Sequence, residues 1–465
     1  MFKLEFRPKF EHKGCNMALS RRDLLKLGGV AAASAALSGC SVSNKSATPG
    51  SATHAGLRMA PIPKAKGPRV VVVGGGWSGL SIAKYVKKFA PEADVVLIER
   101  RASFMSCPVS NLWLVGLVDL EFLTHDYLQA ARNNNYTFLN AMVHDVDRDS
   151  KMVFTNEGAV KYDYLVLAPG IDYDYSRWTG GDVEFENRLR TEYPAGFIPG
   201  SEHLTLRNKV QDFEGGNFVL TVPGGNYRCL PAPYERACLI AWYMKKEQIP
   251  GKVILLDENP DITIKKDGFH SAFEKLYKGY IEYLPGSTIT KIDLDKKRIE
   301  TELGEEIEFA DAALYPRIRG GKILEIAGVA KDSVFNRAEA DIDPFTYQTK
   351  ADPNIYCAGD VRPMGFSKSG NTANSEGHLV ASIIAARIKG KEPKWKSPLT
   401  VCYSAVSGDP VRAISVNAEY KYDPKKKAFG FHNAATNEQW DGKVGVMNGR
   451  GLFEWAKGMY RDMFM

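Results

Sequence analysis

Arg69-Val70-Val71-Val72-Val73 runs directly into Gly74-Gly75-Gly76-Trp77-Ser78-Gly79, and Leu80-Ser81-Ile82-Ala83-Lys84-Tyr85-Val86 follows with helical spacing. A β-branched run, a glycine turn and an amphipathic segment in that order predict strand, tight turn and helix. Val95-Val96-Leu97-Ile98 predicts a second strand. It ends on Glu99, about twenty residues beyond the last glycine of the turn. This is a complete first βαβ unit of a dinucleotide-binding fold. Gly74 permits the turn, Gly76 lets the backbone approach a pyrophosphate, and Gly79 lets helix and strand pack closely. Glu99 is placed to accept hydrogen bonds from the adenosine ribose.

Two later segments decide which dinucleotide is meant. Tyr162-Asp163-Tyr164-Leu165-Val166-Leu167-Ala168-Pro169-Gly170 looks like the strand and turn by which flavoproteins return the chain to their FAD domain. Asn354-Ile355-Tyr356-Cys357-Ala358-Gly359-Asp360 is an apolar strand ending in Gly359-Asp360, where the aspartate can bind the ribityl hydroxyls of FAD. Between them, Phe218 to Val222 and Val253 to Asp257 predict strands of a second α/β unit. Its turn reads Pro223-Gly224-Gly225-Asn226-Tyr227-Arg228-Cys229, without a second pyrophosphate fingerprint, so NAD(P)H is not expected as a substrate.

The expected fold class is α/β, with two Rossmann-like dinucleotide-binding domains and a C-terminal α+β interface domain. The FAD domain is discontinuous, at 67–178 and 319–398, and a degenerate NAD-like domain at 179–318 is inserted into it. Residues 399–465 form the interface domain and end in an aromatic-rich amphipathic segment from Phe453 to Phe464, whose aromatics are read as core.

The N-terminus reads as an address. Ser20-Arg21-Arg22-Asp23-Leu24-Leu25-Lys26 precedes a small-residue apolar run from Leu27 to Leu37, a twin-arginine export pattern. The run is shorter than the ~20 residues of a spanning helix. Leu37-Ser38-Gly39-Cys40 resembles a bacterial lipobox, so residues 1–39 are expected as the signal, Cys40 as a lipidated residue and 40–66 as a flexible tether. A chance cysteine beside a cleavage site near Ala33-Ser34-Ala35 is the alternative. Met17 also opens a more usual short leader. Localisation is expected in the periplasm or on the outer face of a bacterial membrane, with membrane contact only through the anchor. A folded protein exported by this route implies a tightly held cofactor.

Of the 465 residues, 44% are hydrophobic and 25% charged, ordinary values that exclude general disorder. The formal net charge is +6, but residues 1–39 hold seven Lys/Arg and three Asp/Glu, which leaves +2 beyond them. No electrostatic case for nucleic acid remains. No CxxCH occurs, so no haem is expected on this chain, and no metal site is expected.

Three segments, Ser106-Cys107-Pro108-Val109-Ser110-Asn111, Arg228-Cys229-Leu230-Pro231-Ala232-Pro233-Tyr234-Glu235-Arg236-Ala237 and Ser367-Lys368-Ser369-Gly370-Asn371-Thr372-Ala373-Asn374-Ser375-Glu376-Gly377, occur in order. With Thr400-Val401-Cys402-Tyr403-Ser404 and the terminal Trp455 segment, they resemble the flavoprotein subunit of flavocytochrome c sulfide dehydrogenase. The resemblance implies FAD bound covalently through Cys107, Cys229 as half of a redox disulfide facing the flavin, and Glu235 moving protons beside it. It also implies sulfide or a related sulfur compound as substrate and a c-type cytochrome subunit as electron acceptor. A buried, inert thiol is the alternative for Cys107.

Cys229 precedes a helix start marked by prolines, a placement expected to lower its pKa. The resemblance places its partner near Ala338, where no cysteine stands, while Cys238, Cys357 and Cys402 read as packed core thiols. Three readings follow: sulfide oxidation with one thiol, a changed substrate, or a redox-inactive paralogue. Lys368 and the amides after it are expected to face the flavin N1–C2 edge, with a solvated loop lysine as the alternative. His378 is expected to be structural. The competing functions are a quinone-reducing enzyme of the sulfide:quinone type, which needs a membrane-dipping C-terminus, and a non-catalytic cytochrome-binding flavoprotein.

Overall fold

The Arg69–Val73 strand is buried along its whole length. A parallel sheet covered by helices on both faces has no solvent side, which is why the run is continuous rather than alternating. In the computed structural model, which describes residues 57–465, this strand is the centre of a five-stranded sheet. The order across the sheet is 355–357, 164–167, 69–73, 94–99, 137–140, and every pairing is parallel. The two flavoprotein markers, distant in sequence, therefore lie side by side.

Helix Trp77–Phe89 follows the glycine turn and packs against helix Gly370–Ile388. Their approach is close because Gly377 has no side chain: a Cβ there would lie 2.7 Å from the Ser81 Cβ and 2.9 Å from the Ser78 carbonyl. A Cβ on Gly79 would come within 1.8 Å of the Gly74 carbonyl, so no other residue fits.

The mid-chain unit is a second parallel sheet, ordered 281–285, 251–257, 216–222, 311–313. Helix Ala232–Lys246 follows its Gly216–Val222 strand. The two chain crossings between the sheets pair with each other, Ile171–Asp174 antiparallel to Arg317–Gly320.

The C-terminal region is a three-stranded antiparallel sheet, Thr400–Ser407, Arg412–Asp423 and Ala428–Asn437, followed by helix Gly442–Phe464. That helix buries Leu452, Ala456, Tyr460 and Met463, one face at three- and four-residue spacing. Trp455 stacks on Trp77 at 6.1 Å and Phe464 meets Phe104 at 5.2 Å, so its aromatic side is turned into the protein. No helix among the described residues is long and apolar enough to cross a membrane. The described residues, 57–465, lie in one compact unit. Arg21, Arg22, Cys40 and the tether up to residue 56 lie outside the described residues.

Candidate functional site

A cavity of about 1010 Å³ opens at the carboxyl ends of the first sheet, where ligands of open α/β folds bind. The turn 73–78, Glu99, the 168–173 crossing, Arg228, Gly359, Asp360 and the start of helix Gly370–Ile388 line it. One Glu99 carboxylate oxygen accepts the Gly75 N–H at 2.8 Å and the other accepts the Arg101 N–H at 2.9 Å, which fixes the turn. Tyr127, absent from the sequence reading, donates its hydroxyl to the Gly75 carbonyl at 2.8 Å. Apart from its own chain neighbours, nothing lies within 4 Å of a Cβ built on Gly76, so that backbone faces open space, as a pyrophosphate requires.

Asp360 is 8% exposed, and its Oδ1 has no hydrogen-bond partner although it borders the cavity. Its Oδ2 lies 3.4 Å from the Arg228 Nε. Arg362 Nη1 faces the Oδ1 at 3.9 Å without bonding it, and a buried carboxylate oxygen with no hydrogen bond is costly unless a ligand donates to it, as ribityl hydroxyls would. Gly359 adopts φ +77, and a side chain there would press on Ser78. Gly74, Gly76, Glu99, Gly359 and Asp360 thus line one cavity, and the set fits FAD.

The mid-chain turn is closed to a second dinucleotide. Gly224 donates its N–H to the Glu258 carboxylate at 3.0 Å, and Arg317 pairs with that carboxylate at 2.9 Å. The place of a pyrophosphate is taken by a negative side chain. Asp257, at the end of the following strand, is fully buried and accepts hydroxyl hydrogen bonds from Tyr234 at 2.6 Å and Tyr283 at 3.0 Å.

Around the cysteines, three non-glycine residues are left-handed: Val109 at φ +72, Cys229 at φ +58 and Lys265 at φ +55. Such strain persists only where surrounding contacts over-determine it. Cys107 is partly exposed, and its charged neighbours are Arg228, Arg236, Glu202 and Asp360. Burial pushes its thiol up, and the two guanidiniums oppose that push.

Cys229 departs from expectation in two ways. Burial pushes its thiol well up, so desolvation outweighs the helix start at Ala232. After burial, the leading influence is the Cys402 thiol, followed by Cys107 and Glu235. Cys402, on the Thr400–Ser407 strand, is a partly exposed thiol rather than a packed core one, and Lys265 Nζ lies 3.5 Å from its sulfur. Ala338, where the resemblance placed a partner, packs beside Gly320, with its N–H held by Asp332 at 2.9 Å. Among the described residues Cys238 and Cys357 are buried thiols.

Glu235 is buried and accepts hydrogen bonds from Asn111 Nδ2 at 2.9 Å and the Ala405 N–H at 2.8 Å. Burial raises its pKa against those bonds and against Lys265 and Arg236. Asn111 also accepts from Arg236 Nε at 3.0 Å, so the Cys107 and Cys229 segments are knitted together.

Lys368 meets neither of its expected roles. Its side chain is fully buried and forms an ion pair with Glu339 at 2.7 Å. It donates to the carbonyls of Asp360 at 2.6 Å and Arg362 at 3.0 Å. These bonds consume its three protons, so it braces the cavity wall from behind. Its own carbonyl accepts the Cys229 N–H at 2.8 Å. The helix start beside it does face the cavity, through Ser369, Gly370 and Ala373. His378 bonds Asp462 at 3.0 Å, away from the thiols.

Fold and site define a flavin-dependent oxidoreductase with two dinucleotide-binding domains. Residues 203–316 match the model of the sulfide dehydrogenase [flavocytochrome c] flavoprotein chain, central region, and residues 68–184 match that of pyridine nucleotide-disulphide oxidoreductases. The chain belongs to the family of flavocytochrome c sulfide dehydrogenase flavoprotein chains. A flavoprotein chain of that name from Chlorobaculum thiosulfatiphilum is 54% identical over 43 residues, 9% of this chain and 90% of that sequence. The sulfide-quinone reductase of Aquifex aeolicus is 24% identical over 364 residues, 73% of this chain and 81% of that one. The solved sulfide:quinone oxidoreductase of the same organism superposes with a TM-score of 0.67 at 19% identity, covering 85% of this chain and 91% of that chain.

Proposed function

We propose that this chain is an exported FAD enzyme that oxidises sulfide or a related reduced sulfur compound and passes the electrons to a c-type cytochrome subunit. The observations that carry the proposal are the free Cys229 that follows Arg228 of the cavity lining, its electrostatic coupling to Cys402, Cys107 and Glu235, and the hydrogen bond by which the Ala405 N–H ties the Cys402 strand to Glu235. In the oxidised enzyme Cys229 and Cys402 are joined by a disulfide. Hydrosulfide opens it, one cysteine carries the new persulfide, and the other is released as thiolate. Glu235 takes the proton, with Asn111 and the Ala405 N–H orienting its carboxyl group.

Gly74, Gly76 and Gly79 shape a turn that would receive the FAD pyrophosphate, Glu99 and Asp360 would hold the ribose and ribityl hydroxyls, and Cys107 would tether the ring. Bound FAD supplies a two-electron acceptor that releases electrons singly. The twin-arginine leader and Cys40 support export and lipid anchoring outside the cytoplasm.

A quinone acceptor is the second reading, favoured by relatives named sulfide:quinone oxidoreductases. The inward-facing aromatics of the last helix weigh against it. Mixing FAD-loaded protein with sulfide under argon tests the proposal: flavin bleaching is expected, and Cys229→Ala and Cys402→Ala each abolish it while FAD stays bound. Absence of bleaching in the unmutated protein would refute it. Subsequent addition of oxidised cytochrome c or a soluble quinone identifies the acceptor.

A further inference from the structure

Lys265 belongs to none of the three segments that define the site. It is 3% exposed and stands at the head of helix Lys266–Lys275, in the mid-chain unit. Its Nζ reaches the C-terminal sheet, donating to Ser404 Oγ at 2.6 Å and to Cys402 Sγ at 3.5 Å. Its charge is felt by Cys229 and Glu235, but the groups it bonds are a hydroxyl and a sulfur rather than a carboxylate. Its left-handed backbone adds strain at the same place. A buried cation bonded to neutral partners is costly unless a negative charge develops beside it.

We propose that Lys265 is the counter-ion of Cys402 and makes that sulfur the leaving group when the Cys229–Cys402 disulfide opens, which directs hydrosulfide to Cys229. The inference rests on the disulfide reading above. In thiol–disulfide exchange the sulfur that better carries negative charge leaves, and the nucleophile bonds to the other. The hydrosulfide sulfur bonds to the Cys229 sulfur, and the bond between the cysteines breaks. Cys402 departs as thiolate with the bonding pair, against the Lys265 ammonium. The incoming sulfur is oxidised, the Cys402 sulfur is reduced, and the persulfide proton passes to Glu235. The persulfide thus forms on the cysteine that has Cys107 and Glu235 as neighbours.

The test uses full-length, FAD-loaded protein in unmutated, Lys265→Met and Lys265→Arg forms. One equivalent of sulfide is added anaerobically, iodoacetamide traps the products, and mass spectrometry locates the persulfide. It is expected on Cys229 in the unmutated protein, with Cys402 simply alkylated. Lys265→Met should lower the Cys229 to Cys402 ratio by roughly tenfold or more, and Lys265→Arg should restore it. An unchanged ratio in Lys265→Met, or persulfide on Cys402 in the unmutated protein, overturns the proposal.

If neither cysteine of the unmutated protein carries persulfide, the sulfide reading fails. Lys265 is then judged on the reduced, unmutated protein, which needs no variant to fold. Cys402 should be alkylated before Cys229 at neutral pH; the reverse order, or equal rates, refutes a counter-ion role.

Discussion

Replacing Lys368 by Met separates a buried brace from a flavin-facing cation. Lys368 and Glu339 lie 2.7 Å apart with side chains 0% and 2% exposed. At an effective dielectric of about 20, their gross attraction is about 6 kcal/mol, which offsets the several kcal/mol of desolvating each ion. Around them Arg228 faces Asp360 and Arg362 faces Glu376. Met fills the volume but leaves Glu339 without its cation and the Asp360 and Arg362 carbonyls without a donor. The expected loss is about 3–5 kcal/mol of unfolding free energy. Urea denaturation at fixed protein and FAD concentration measures it, with Glu339→Gln and the double variant completing a cycle. The double variant should recover about 2 kcal/mol or more relative to additivity, because it removes the orphaned charge. Lys368→Met within about 0.5 kcal/mol of the unmutated protein, together with a changed flavin reduction potential, would refute the bracing role and return Lys368 to the flavin.

Four further outcomes are expected. FAD should stay on the polypeptide after acid denaturation and be released in Cys107→Ser; free yellow supernatant from the unmutated protein excludes the thioether. Glu235→Gln should slow sulfide-driven flavin reduction by roughly 10²–10⁴-fold, read by anaerobic stopped flow. Burial pushes Glu376 up to about 7, so the folded state holds a proton that the unfolded chain releases near 4.5. Stability should therefore fall by roughly 3 kcal/mol as pH rises between these values, and Glu376→Gln should flatten the slope in denaturation midpoints. Replacing Arg21 and Arg22 by Lys should leave the precursor in the cytoplasm, as fractionation would show.

The first βαβ unit was legible because its chemistry is local. The Val70–Val73 run, the glycine spacing and the acid at the second strand's end are set by pleat, turn and helix geometry within one short stretch. The closed mid-chain turn was legible as a missing motif, while its cause, the Glu258 carboxylate on the Gly224 N–H, appears only when the neighbouring strand is in place.

The thiol site was readable in part. Cys229 and Glu235 share one short stretch of sequence, but Cys402 looked like a packed thiol because an alternating strand gives no sign of what faces each side. Lys368 was misplaced for a similar reason. A lysine among serines and glycines reads as exposed until Glu339 and two carbonyls close around it. Sequence alone determined the dinucleotide fold, the absence of a second fingerprint and the segments that carry the chemistry. Tertiary structure alone decided which cysteine Lys265 reaches and where the buried charges go, because both depend on packing the C-terminal sheet against the mid-chain unit and on the burial that follows.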